Sequence, residues 1–450
     1  MTALAGLFKE AGFQVTGSDQ NVYPPMSGFL KEIGVEVKIG YDAKNLAHRP
    51  DLVIIGNAMS RGNVEVEAAL NQHLNYISLP EALKRFFIRG KYSCVVAGTH
   101  GKTSTSSLLA WVLENAGKDP GFFIGGIPEN FGRGFKLGQG RFFVLEGDEY
   151  DSAFFDKRSK FLNYLPDLVI INNIEFDHAD IFNNLEEIET TFARLIQLIP
   201  GNGKLVACYD DPIVRRLSEK ALARTTTFGL EQQADWSATN IETHERETIF
   251  EVLQKGSSVG KFSAPLYGEH MVKNCLAVIA SCSEMGLSNA EILDGLKTFK
   301  SVRRRLQFHG EVGGIKIFDD FAHHPTEVKA TICAVRERFP QNKVWAVFEP
   351  RTASSKRKIF EQHYIDALKN AHAIVLTPLY KQEKVPADQR MSLETVCEGL
   401  RRNNVPNWIF PADQEMTRFL KTNLVPGDIA LFMSNGDFNQ IPANLLNALK

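Results

Sequence analysis

The feature that most constrains this chain is an abrupt junction. The apolar run Tyr92-Ser93-Cys94-Val95-Val96-Ala97 gives way at once to Gly98-Thr99-His100-Gly101-Lys102-Thr103-Ser104, and helical spacing then continues to Ala116 before Gly117. A buried strand, a glycine turn and a helix start, in that order, aim backbone N–H groups and the positive end of a helix at a phosphate. Lys102 is then placed to reach the β and γ phosphates of a nucleotide, and Thr103 to ligate Mg2+. The strict GxxxxGK[ST] spacing is not met, because Val96 stands at the first glycine position. A plain tight turn is the other reading, but it leaves the Gly-Lys-Thr-Ser combination unexplained.

The surrounding chain alternates in the same way. Strand-like runs recur at 142–145, 168–171 and 205–208, a helical pattern at 185–198, a β-rich patch at 248–253 and 260–265, and a helix at 271–285. Upstream, 13–16, 36–39 and 51–55 read as strands and 60–72 as a helix. Downstream of Arg303-Arg304-Arg305, strands at 315–319, 344–348, 373–376 and 429–433 alternate with helices at 325–339 and 356–370. Such alternation predicts parallel sheets covered by helices. The expected fold class is therefore α/β, with an N-terminal domain over 1–90, a central nucleotide-binding domain over 91–302 and a C-terminal domain over 303–450. The chain opens directly on an amphipathic helix (Leu4, Leu7, Phe8), so the strand and glycine turn that normally precede one in such a unit are expected to be missing.

Length and charge agree with this reading. At 450 residues the chain fits about three domains. Its 51 Lys plus Arg against 53 Asp plus Glu leave a formal charge of -2, too balanced for a protein that neutralises a nucleic-acid backbone. No run approaches the roughly 20 apolar residues of a membrane-spanning helix, and the start lacks a basic region and cleavage site. The six scattered cysteines form no CxxC pair and read as reduced thiols. A soluble, cytoplasmic protein is expected, without nucleic-acid, membrane or obligate protein partner.

Further polar groups sit at the carboxyl ends of the predicted strands, where open α/β sheets bind ligands. Glu146 ends the run 142–145 and opens an acidic loop; it is either a Mg2+ ligand or a solvated acid. Asn172, Asn173 and His178 follow the run 168–171, and His178 either serves a metal or substrate or is structural. Three strand ends carrying Lys102, Glu146 and His178 would converge on one cleft. Arg303 to Arg305 lie where two regions join, either as a solvated hinge or as a guanidinium that neutralises a γ-phosphate. Asp319-Asp320-Phe321-Ala322-His323-His324-Pro325 ends another strand with acids paired to histidines.

AGTHGKTST, LEGDEYDSAFFDKRSKF, NNIEFDHADIF, GEHMVKN, RRRLQ and DDFAHHPTEV, in this order, resemble the motifs of the Mur ligases, ATP-dependent amide-forming enzymes of bacterial cell-wall precursor synthesis. The resemblance implies a UDP-binding Rossmann-like first domain, a central P-loop ATPase domain and a Rossmann-like C-terminal domain. It implies ATP and Mg2+ as cofactors and catalytic work by Lys102, His178 and Arg305. ATP would be held by Gly98, Thr99, His100, Gly101, Lys102, Thr103, Ser104, Asn274, Arg305 and Asp320, and the metal by Thr103, Glu146 and His178. Ser18, Asp19, Asn173, Arg351 and Ser354 match substrate-binding regions. GDEYDSAFFDKRSKF and EPRTASSKR resemble the branch that joins UDP-N-acetylmuramate to the recycled tripeptide L-alanyl-γ-D-glutamyl-meso-diaminopimelate. The alternatives are the branch that adds L-alanine instead, or a non-catalytic nucleotide-binding regulator. Family members in other branches carry a carbamylated lysine about fifteen residues beyond the metal-site histidine; Ala193 and Arg194 stand there, so none is expected.

Overall fold

The computed structural model describes residues 1–22 and 26–450. Its centre is a ten-stranded sheet whose parallel core runs Lys204–Cys208, Leu168–Ile171, Tyr92–Ala97, Phe142–Glu146, Gly121–Phe123 in spatial order. Leu168–Ile171 is buried at every position and Tyr92–Ala97 at all but its first, which is why both read as continuous apolar runs instead of alternating ones. Beyond Arg224–Gly229 the sheet continues as an antiparallel meander, Trp236–Thr243, Thr248–Gln254 and Ser257–Ala264. Helices Lys102–Asn115 and Glu269–Glu284 cover one stretch of this core.

The C-terminal sheet has six strands in the order Gln307–Val312, Ile315–Asp320, Ile429–Met433, Val344–Phe348, Ala373–Leu376, Asn407–Ile409, parallel except for the first. Separate apolar clusters fill its two faces, one containing Val328, Ile332 and Leu368, the other Met416, Leu420 and Leu445. The fold is thus three-domain α/β, as the alternation implies. Among the described residues no helix is long and apolar enough to cross a membrane.

Several expected elements shift. The strand predicted at 13–16 forms at Thr16–Asp19, because Phe13 leaves the sheet line to meet the rings of Phe8 and Phe86 at 5.1 and 5.7 Å. The helix predicted at 60–72 spans only Val64–Asn71: the Asn63 side chain caps Glu65 and Val66, and Arg61 and Gly62 turn onto Glu67. The helix predicted at 356–370 breaks into two 3-10 turns, Ser354–Lys356 and Lys358–Phe360, before Glu361–Leu368. The N-terminal strands do not make one sheet. Thr16–Asp19 pairs with Glu36–Ile39, and Val53–Ile55 pairs separately with Tyr76–Ser78.

The N-terminal region also packs into the central core. Leu4, Leu7, Phe8, Leu83 and Phe87 share one apolar cluster with Val95, Leu108 and Phe135. Gly6 faces Phe135 so closely that a Cβ there would lie 2.0 Å from the ring.

Candidate functional site

Parallel register brings three strand ends together. Ala97 lies opposite Ile171, and Val96 opposite Glu146, so the turns that follow open on the same edge of the sheet. Gly98 and Gly101 hold φ of 136° and 79°, and Gly101 leads directly into helix Lys102–Asn115. The loop is fastened from the neighbouring turn: Asn173 accepts from the His100 N–H at 2.7 Å and donates to the His100 carbonyl at 3.3 Å. The Thr99 hydroxyl accepts from the Glu175 N–H at 2.9 Å. Asn274 abuts the same loop, since a Cβ on Gly101 would stand 3.0 Å from its Oδ1.

Lys102 does not reach into solvent. Its ammonium donates to the carbonyls of Gly98 and Thr99 at 2.7 and 3.0 Å and to Glu149 at 3.0 Å. The same Glu149 oxygen lies 2.7 Å from His178 Nε2, so one carboxylate joins Lys102 to the histidine of the third strand end. Burial opposes charge on both cations, but Glu149 leaves the lysine and the histidine above their ordinary values. Beside this trio the Thr103 hydroxyl donates to Glu146 at 2.8 Å, and Gly125 N–H donates to the other Glu146 oxygen at 2.7 Å. Burial raises the Glu146 carboxyl despite those bonds. A hydroxyl and a half-buried carboxylate are hard oxygen donors of the kind Mg2+ takes.

A second cluster spans the central and C-terminal sheets. Asp320 ends its strand with its carboxylate turned onto the chain, accepting from Leu306 and Ala322 N–H at 2.6 and 2.7 Å. Burial pushes its carboxyl up to about 6. The turn then delivers His323 and His324 to the start of helix Pro325–Arg338. There His100 Nδ1 lies 3.4 Å from Glu327, and His100 Nε2 3.5 Å from Glu175. Burial alone would lower the His100 imidazole; Glu327 and Glu175 instead carry it up to about 10. His324, buried against that charge, falls to about 4. Arg305 completes the edge, 3.9 Å from Glu327 and 5.0 Å from the Phe321 ring centre.

The remaining sequence-predicted residues divide. Ser354 is buried and its hydroxyl accepts from Ala179 N–H at 3.3 Å, next to His178. Arg351 stacks 3.9 Å over the Tyr380 ring and lies 3.6 Å from Glu349. Ser104 is buried in the first turn of the loop's helix. Ser18 donates to Glu65, and Asp19 accepts from Asn21 N–H at 3.0 Å; both belong to the separate N-terminal sheet. Asn173, expected at substrate, spends its side chain on the loop, and Asp320, expected at ATP, on the backbone. Sequence reasoning missed Glu149, Glu175 and Glu327 as site residues. The only signal for Glu149 was its place three residues after Glu146 in an acidic run, and nothing in one dimension says which acid of such a run turns inward.

Three family descriptions match the chain: "Mur ligase family, catalytic domain" over residues 1–91, "Mur ligase middle domain" over 96–282 and "Mur ligase, glutamate ligase domain" over 304–436. The chain is 41% identical to the UDP-N-acetylmuramate–L-alanyl-gamma-D-glutamyl-meso-2,6-diaminoheptandioate ligase of Escherichia coli K12, over 100% of this chain and 96% of that protein. It is 34% identical to the UDP-N-acetylmuramate–L-alanine ligase of Geobacter sp. M21, over 100% and 95%. Among solved structures, a murein peptide ligase from Psychrobacter arcticus superposes with a TM-score of 0.73 at 32% identity, covering 100% of this chain and 96% of that one.

Proposed function

The chain belongs to the Mur ligase family, whose members are ATP-dependent ligases that form amide bonds in peptidoglycan precursors, and from that premise we propose that it joins UDP-N-acetylmuramate to L-alanyl-γ-D-glutamyl-meso-diaminopimelate in peptidoglycan recycling. The observation that carries this reading is the 41% identity over the whole chain to a ligase named for that tripeptide, against 34% to one named for L-alanine.

The chemistry follows from the site. An amine does not displace oxide from a carboxylate, so the lactyl carboxylate must first become an acyl phosphate by taking the γ-phosphoryl of ATP. Two anions have to meet for that transfer, and Lys102 with Arg305 offsets their repulsion. The glycine turn supplies N–H donors for the phosphates. Thr103 and Glu146 are the residues that would hold Mg2+, with His178 beside them; the ion supplies further neutralisation of phosphate charge. The tripeptide α-amine then attacks the acyl carbon and expels phosphate. The C-terminal domain, whose Ser354 already meets the turn after His178 and which supplies Arg351, aligns amine and acyl group.

In the same proposal residues 1–90 bind the UDP-sugar, 91–302 the ATP, and 303–450 the peptide. Ser18 and Asp19 lie near the uridine, Asn274 and Asp320 support the nucleotide, and ATP and a nucleotide sugar place the reaction in the cytoplasm. The test is a coupled assay of ADP release with UDP-N-acetylmuramate and either amine. Turnover with the tripeptide and little with L-alanine is expected; equal or preferential use of L-alanine assigns the chain to the other branch.

A further inference from the structure

The cluster between the central and C-terminal sheets contains a set of side-chain ligand atoms to which the proposed ligase steps assign no chemistry. One ligand atom from each of His100, Glu175 and His324 lies within 4.8 Å of the other two. Glu175 Oε2 is the hub, 3.5 Å from His100 Nε2 and 3.6 Å from His324 Nδ1. Two ligands held about 2.1 Å from a tetrahedral ion stand about 3.4 Å apart, so both spacings already match. His100 Nε2 is buried without a hydrogen-bond partner, in a side chain only 9% exposed. It faces the Glu175 carboxylate and lies near the His324 imidazole, and an ion bound there takes the place of the ring proton that the flanking carboxylates otherwise retain.

The surrounding groups are those that orient metal ligands. Glu327 lies 3.4 Å from the other ring nitrogen of His100, the carboxylate–histidine arrangement that fixes tautomer and ring direction. The Thr326 hydroxyl donates to Glu175 Oε2 at 2.6 Å, leaving that oxygen a second lone pair. His324 Nδ1 caps the helix by accepting from Thr326 N–H at a long 3.4 Å, a weak bond that an ion would displace. The Glu175 side chain is 35% exposed, which gives an ion a path in.

We propose that His100, Glu175 and His324 bind a divalent transition-metal ion of the Zn2+ class, separate from the oxygen-lined Mg2+ position at Thr103 and Glu146, and that the ion ties the phosphate loop to the C-terminal domain. Two imidazoles with one carboxylate select Zn2+, Co2+ or Ni2+ over Mg2+. Three protein ligands leave a fourth position for water or a substrate oxygen. His100 and Glu175 come from the central sheet and His324 from the C-terminal one, so the bound ion holds these two parts together.

The full chain, stripped with chelator and then titrated with Zn2+ in excess Mg2+, is expected to retain one Zn2+. Glu175→Gln and His324→Gln should each weaken retention by about tenfold or more, whereas Glu146→Gln should leave it unchanged. Co2+ in the wild-type protein should give the intense visible bands of a four-coordinate nitrogen-containing site. That measurement decides the matter even where a variant fails to fold. The proposal is overturned if the wild-type chain retains no Zn2+, if its Co2+ spectrum is that of a six-coordinate oxygen site, or if Glu146→Gln removes the ion while His324→Gln keeps it.

Discussion

Glu149 offers a sharp test of how the phosphate loop is held before nucleotide arrives. Its carboxylate serves Lys102 Nζ at 3.0 Å and His178 Nε2 at 2.7 Å from a position only 3% exposed. Glu149→Gln keeps the shape and one acceptor but removes the charge. A hydrogen bond to a charged group contributes about 1.5–3 kcal/mol and a neutral one about 1 kcal/mol, so weakening two should cost about 2 kcal/mol in the ligand-free protein. For a folding unit the size of the central domain that lowers Tm by about 4–8 °C. Nucleotide binding should respond in the opposite sense. Lys102 must leave Glu149 to meet a triphosphate, and the carboxylate repels that anion, so removing about 1.4 kcal/mol of competition tightens the Kd for ATP about tenfold. Thermal unfolding and calorimetric titration with ATP measure the two effects on one preparation. A variant whose ATP affinity weakens as much as that of Lys102→Met refutes the reasoning, because Glu149 would then be presenting the lysine to phosphate instead of withholding it.

Other outcomes follow from the same geometry. Lys102→Ala should lower kcat for ADP release by roughly a thousandfold, as expected for loss of a transition-state charge partner, while circular dichroism stays unchanged; a loss under tenfold contradicts its assignment. Asp320 has a folded carboxyl near 6, raised by burial above its unfolded value, so the folded state holds the proton more tightly. Its contribution is complete at low pH and is lost as pH rises from about 4 through about 6, on the order of 3 kcal/mol. Urea unfolding of wild type and Asp320→Asn should therefore differ in slope only within that window, and parallel pH profiles would contradict the burial argument. Gly6→Ala should destabilise by about 1–2 kcal/mol, because overpacking against the buried Phe135 ring exceeds the helix propensity gained. A higher urea midpoint would contradict that close contact.

Much of this was legible in one dimension because it depends on neighbours in the chain. The run 92–97 is apolar at successive positions because both faces of a central parallel strand are covered, and Gly98 and Gly101 mark φ values that other residues rarely take. Lys102, Thr103 and Glu146 could be placed at strand ends for the same reason. Less legible were the N-terminal strands, whose edges are set by packing: Phe13 turns to Phe8 and Phe86, and two strand pairs form instead of one sheet.

Local pattern determined the α/β class, the glycine turn ahead of Lys102 and the family, since strand, turn and helix each leave a periodic or φ-specific trace within a few residues. Partnership was decided only in three dimensions. Glu149 between Lys102 and His178, Asn173 on His100, and His324 facing Glu175 join residues that are 29 to 149 positions apart or lie on different sheets. The direction a buried carboxylate or imidazole faces depends on which strand ends the sheet brings together, and charge in a low-dielectric interior depends on that distance.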